Sequence, residues 1–279
     1  MNGWLDALTR GHEAHLWYVL SDQIEDDGPP ATNGLLAAYR ALLSPAEHER
    51  NGRFVFEKGR REHLITRALV RTTLSRYVPA VDPRAWQFAI GPFGRPEIEG
   101  PVVAPRLRFN LSHSDGAIVC LVAVEHDVGV DVENTSRSGI IGMEIADRYF
   151  APSEVSELRS LPATDQPSRF FDYWTLKEAY IKGRGLGLQL PLDQFSFHLA
   201  GADGAARNQR TASDESASGR DEPPIRILFG PQIADDPASW QFQRDDLTPH
   251  HRLAIAIRRG RAAPDLTVKR WPVVPLRTP

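Results

Sequence analysis

The chain has 279 residues, 41% of them hydrophobic and 25% charged, enough for one large domain or two modest ones with a sizeable core. A formal net charge of −3 excludes a global attraction to nucleic acid, and no apolar run approaches the length of a membrane span. The opening Met1-Asn2-Gly3-Trp4-Leu5-Asp6 lacks a basic region followed by an apolar one, so a cytoplasmic protein is expected.

Leu16 to Leu20 reads as a first buried strand. Ser44-Pro45-Ala46-Glu47 is a helix start: serine caps, proline suits the first helical position, and glutamate three residues on completes a capping box. Leu64, Ile65, Ala68, Leu69, Val70 and Leu74 continue a helical stripe to about Tyr77, and Pro79 and Pro83 end it. From Arg50 to Arg76 eight basic residues face only Glu57 and Glu62, a local basic face.

Trp86, Phe88 and Ile90 alternate as a strand, and Gly91-Pro92-Phe93-Gly94-Arg95-Pro96 is a loop. Strands follow at Arg106–Ser112, Ile118–Val124 and Val128–Glu133. The single cysteine, Cys120, lies in the second of these and reads as a buried apolar side chain that has no disulfide partner. Helices are expected at Glu144–Tyr149, Pro152–Leu158 and Ser168–Lys182, the last ended by Gly183, Gly185 and Gly187. Phe195–Leu199, Ile225–Phe229, Trp240–Phe242 and Leu253–Ile257 read as strands.

Gly201 to Pro224 has no aromatic residue and no aliphatic one larger than alanine, so a flexible insertion is expected there. The segment after Arg259 reads as an irregular tail. Leu43-Ser44-Pro45-Ala46-Glu47 resembles Phe150-Ala151-Pro152-Ser153-Glu154, and in both places a long helix and then strands follow. The expectation is an α+β fold of two similar halves, residues 1–125 and 126–260 with the insertion in the second, followed by a 261–279 tail. A ligand cleft would lie between the halves.

Three constellations carry chemistry. In Gly129-Val130-Asp131-Val132-Glu133, strand alternation puts Asp131 and Glu133 on one face and the valines on the other. Two neighbouring carboxylates repel, and a hard divalent cation such as Mg²⁺ relieves that repulsion. In Trp174 to Lys182, helical spacing brings Phe171, Trp174 and Glu178 to one face, with Lys182 one turn beyond Glu178. In Phe109-Asn110-Leu111-Ser112-His113-Ser114, a histidine lies at a strand end between two hydroxyls. A serine hydrolase does not fit, because no G-x-S-x-G elbow occurs and Ser112 and His113 point to opposite faces. An anion-binding role suits His113 better.

The order Gly94-Arg95-Pro96, Phe109 to Ser114, Gly129 to Glu133 and Trp174 to Lys182 closely resembles the 4′-phosphopantetheinyl transferases of the surfactin-synthetase type. The resemblance continues through Gly185-Leu186-Gly187-Leu188 and Pro191 to Ser196, and covers about Leu43 to Phe197. It implies a pseudo-dimer of two α+β halves with coenzyme A in the cleft, and hence a monomer. It implies transfer of the phosphopantetheine arm to a serine of an apo acyl or peptidyl carrier protein, with release of 3′,5′-ADP. By resemblance, Asp131, Glu133 and Glu178 hold Mg²⁺ and Lys182 holds the coenzyme A phosphates. Ser112 and His113 meet the nucleotide end, and Arg95 and Arg50 face phosphate. Glu178 is open to two roles, metal ligand or general base. Glu47 and His63 depart from the family pattern near the 3′-phosphate, and Ala151 replaces a capping hydroxyl. Rival readings are a metal-dependent pyrophosphohydrolase and a non-catalytic coenzyme A or carrier-binding module.

Overall fold

A computed structural model describes residues 3–10, 12–24, 34–136, 143–199 and 225–277. The expected flexible insertion lies outside the described residues. In chain order the elements are α1 (Gly3–Arg10), β1 (Glu13–Leu20), α2 (Leu35–Arg40), α3 (Pro45–Gly52), α4 (Glu57–Tyr77), β2 (Gln87–Ile90), β3 (Pro96–Gly100), β4 (Leu107–Ser114) and β5 (Ala117–Val124). They continue with β6 (Val128–Asn134), α5 (Met143–Tyr149), α6 (Pro152–Ser160), α7 (Gln166–Arg184), β7 (Phe195–His198), β8 (Arg226–Phe229), β9 (Trp240–Thr248), β10 (His251–Arg258) and β11 (Thr267–Pro272).

The same series occurs twice. A strand, two short helices, a long helix, a hairpin and a strand pair run from β1 to β5 and again from β6 to β10. The sheets match as well: β1-β5-β4 in the first half and β6-β10-β9 in the second, every pair in these runs antiparallel. The fold is mixed α+β, as expected.

Four layers result. Ile118, Cys120 and Val122 face α4, which supplies Ile65, Leu69 and Leu74 to the same core. Their strand neighbours Val119, Leu121 and Ala123 face the other way, against Val128, Val130, Val132, Leu253, Ile255 and Ile257. The two sheets therefore share a core, with α4 outside one and α7 outside the other. Burial on both faces explains why β5 and the Leu253–Ile257 run of β10 are apolar rather than alternating. Cys120 is buried and free.

Three local expectations are corrected. The segment after Arg259 is not all irregular: Thr267–Pro272 is β11 and pairs in parallel with β1. The helical run from Pro45 to Tyr77 breaks at residues 53–56, after Asn51 donates to the Arg60 carbonyl at 2.9 Å and turns the chain. Asp131, read as lying opposite a core face, is itself buried, because α7 and β4 cover that side. Among the described residues no helix is long and apolar enough to cross a membrane.

Candidate active site

Small residues set the site. A methyl group added at Gly129 would stand 2.0 Å from the Ala179 carbonyl oxygen and 2.4 Å from the Gly183 nitrogen. β6 and α7 therefore touch backbone to backbone at this point. Ala254 and Ala256 of β10 continue the thin face beneath the helix. This close approach carries Glu178 and Lys182, on α7, to the carboxylates of β6. The α7 helix ends where Gly185 takes φ +67° and donates its N–H to Ile181 at 2.9 Å.

At the centre, Lys182 Nζ donates to Asp131 Oδ1 at 2.6 Å and to Ser112 Oγ at 2.9 Å. Ser112 in turn donates to Asp131 Oδ1 at 2.9 Å. Asp131 is only 4% exposed, yet its Oδ2 is buried with no hydrogen-bond partner. A buried orphan carboxylate oxygen is costly, and a ligand there would satisfy it. Ser114 donates to Glu133 Oε2 at 3.2 Å. Burial raises the Glu133 carboxyl above its ordinary range, and Asp131 adds to this against hydrogen bonds from Ser114 and Trp174. Glu178 is raised too, by burial first and by Asp131 second, with Lys182 opposing. Three carboxyls thus share one field with a single ammonium. A divalent cation is the group that would relieve this, although among the described residues no three acidic, histidine or cysteine side chains already form a metal cage.

The remaining expected residues divide. Arg95 lines a pocket with Glu178, Lys182 and Asn110. Its guanidinium is engaged, donating to the Gly183 carbonyl at 2.9 Å and lying 3.5 Å from Asp127. His113 is exposed on β4, on the face opposite Ser112. Arg50 is exposed on α3 and lines a separate shallow depression with Glu49, Arg53 and Phe54. Near it, His63 accepts from Asn51 at 3.1 Å. Burial, then Arg67 and Arg50, push that imidazole down to about 4.

Glu47 does not face a ligand. It accepts the Ser44 N–H at 2.8 Å and holds Arg67 at 2.5 Å and Arg71 at 2.7 Å. Its acidity therefore closes a helix junction inside the first half.

Sequence reasoning missed three features. Trp174 stands beside Glu133 and counters the upward shift of its carboxyl. Lys177, wholly buried, pairs with Glu154 at 2.8 Å and donates to the Leu192 and Phe195 carbonyls. Of the two lysines of the α7 motif, then, one is structural and the other faces the site. The N-x-S-x-S alternation of Asn110, Ser112 and Ser114 was the third signal: it puts all three on one face of β4.

The site brings acidic residues together in a partly closed place with a lysine among them, which suits acid–base or cation-assisted chemistry. Comparison makes the class specific. The model of the 4′-phosphopantetheinyl transferase superfamily matches residues 127–256, and that of the 4′-phosphopantetheinyl transferase N-terminal region matches 29–126. The chain is 35% identical to the 4′-phosphopantetheinyl transferase HetI of Nostoc, over 63% of this chain and 70% of the relative. It is 33% identical to the transferase Sfp of Bacillus subtilis, over 58% and 68%. A solved holo-[acyl-carrier-protein] synthase of Thermotoga maritima is 15% identical at TM-score 0.32, spanning 48% of this chain and 62% of that one, too distant to bear on the fold. The chain belongs to the 4′-phosphopantetheinyl transferase superfamily, and it is a transferase.

Proposed function

We propose that this transferase moves the 4′-phosphopantetheine arm of coenzyme A to a serine of an apo acyl or peptidyl carrier protein, with Mg²⁺ held by Asp131, Glu133 and Glu178. The buried, unpartnered Asp131 Oδ2 is the observation that carries the metal reading. The elevated Glu133 and Glu178 carboxyls fit it. Bound there, the cation would neutralise charge on the pyrophosphate of coenzyme A.

The carrier serine oxygen forms a bond to the pantetheine-side phosphorus as the bond to the bridging oxygen breaks. The electron pair leaves with 3′,5′-ADP. Lys182 supplies a positive charge beside that leaving group. Glu178 stays open to two roles: it is a ligand of the cation, or it takes the serine proton directly or through water. Phosphate contacts at Arg95, His113 and Arg50, and a contact of Ser112 with the nucleotide end, belong to the same proposal, with Arg95 first giving up the Gly183 carbonyl.

Coenzyme A would lie between residues 1–125 and 126–260, in a cytoplasmic monomer whose second half stands in for a second subunit. The repeated element series supports that division. The test is purified protein with coenzyme A, Mg²⁺ and an apo-carrier. One phosphopantetheine adduct on the carrier and an equivalent of 3′,5′-ADP are expected. Coenzyme A breakdown without an adduct would instead identify a pyrophosphohydrolase, and tight binding without turnover a binding module.

A further inference from the structure

The sheets of the two halves meet at two edge strands that share no backbone pairing. β4 ends one sheet and β6 ends the other. In any strand alternate N–H groups point to opposite edges, so β6 needs acceptors on the side away from β10. Side chains of β4 supply them. Asn110 Oδ1 accepts the Val130 N–H at 2.9 Å, Ser112 Oγ the Val132 N–H at 3.3 Å, and Ser114 Oγ the Asn134 N–H at 2.9 Å. The offset is 20 residues at every rung.

The two serines do a second thing, again identically. Each donates its hydroxyl hydrogen to the carboxylate one residue before the N–H it accepts: Ser112 to Asp131 and Ser114 to Glu133. The Asn110 rung has no such acid to hold, because Gly129 stands there. A hydroxyl has one hydrogen and two lone pairs. Ser112 spends all three, the last on Lys182. Its hydrogen is therefore committed to Asp131.

We propose that Ser112 and Ser114 form a paired clamp that aims the Asp131 and Glu133 carboxylates, and that Ser114 is a positioning residue for Glu133. The clamp rests on the metal reading given above. It also explains why the motif alternates N-x-S-x-S: each of these residues must reach the next N–H along β6. At Asp131 the hydroxyl takes Oδ1 and leaves the orphan Oδ2 available.

The test is calorimetric titration of the intact protein with Mn²⁺ in the presence of coenzyme A, alongside steady-state kinetics. Ser114→Ala weakens Mn²⁺ by about tenfold, as loss of a group orienting a metal ligand does. The KM for coenzyme A stays within about twofold, and kcat recovers at saturating metal. Ser114→Thr, which keeps the hydroxyl, restores Mn²⁺ affinity. In a Glu133→Gln background, Ser114→Ala has no further effect on Mn²⁺. This cycle decides the matter even where the alanine variant is less stable. Wild-type Mn²⁺ affinity in Ser114→Ala, with only a lowered Tm, overturns the clamp. Asp131→Ala separates the two readings. If it keeps Mn²⁺ affinity, the metal site itself is wrong and the clamp falls with it. If it loses affinity while Ser114→Ala does not, the clamp alone is overturned.

Discussion

The two halves use the same joint for different purposes. In each, a glutamate in the first turn of a short helix accepts the cap N–H and pairs with a cation on the long helix that follows. Glu47 does this on α3 with Ser44 N–H, Arg67 and Arg71. Glu154 does it on α6 with Ala151 N–H and Lys177. The environments differ. Two guanidiniums and the Ser44 N–H outweigh burial and hold Glu47 below the usual carboxylate range. Burial wins at Glu154 and raises it, and burial also lowers Lys177. The first joint is partly open and well supplied with charge. The second is sealed, at 1% and 0% exposure, with one cation for one anion. The sealed joint fixes the helix that bears Glu178 and Lys182. The first half reaches the same carboxylates through Ser112 and Ser114 of β4 rather than through its long helix.

That contrast predicts a graded set of outcomes. Asp131→Ala removes the central acid of the second half and lowers transfer at least about 10³-fold, with the fold retained by circular dichroism. Near-normal activity would put the chemistry elsewhere. Lys177→Met leaves Glu154 buried and unpaired and lowers stability by about 3–5 kcal/mol in urea titration. Arg67→Met costs clearly less, because Arg71 still holds Glu47. Equal losses would erase the distinction between the joints. Gly129→Ala forces β6 from α7 and costs ~3 kcal/mol or more, seen as a lowered urea midpoint.

Acid reads the first half. The folded state holds His63 at about 4, below its ordinary value of 6.5. The unfolded chain therefore binds more protons between these values, and stability falls as pH drops from about 6.5 to 4. His63→Gln loses this dependence, so its Tm gains on the parent as pH falls through that window. Parallel Tm curves would contradict the half-buried neutral imidazole. The smallest effect is at the weaker cap: Ala151→Ser adds the missing hydroxyl and stabilises α6 by about 1 kcal/mol, measured by thermal unfolding.

Much of this was legible in the residues. Strand alternation put Asp131 beside Glu133, helical spacing put Glu178 a turn before Lys182, and the capping motifs located both helix pairs. What escaped depended on partners distant in the chain. β11 is a short strand with only Val268 and Trp271 turned to the cores, and its pairing with β1 places them there. Lys177 looks like any helical lysine until Leu192, Phe195 and Glu154 close around it. Arg95 reads as a free cation in a glycine-rich loop, but Gly183 and Asp127 already engage it. Gly129 reads as a strand start, and only the crossing of α7 explains why it must be glycine.

The most direct measurement is the intact mass of an apo-carrier incubated with this protein and coenzyme A, with Mg²⁺ in one sample and excess chelator in another. One phosphopantetheine adduct is expected with Mg²⁺ and none with chelator. An equal adduct in both samples would contradict the role given to Asp131, Glu133 and Glu178, and no adduct in either would contradict carrier transfer itself.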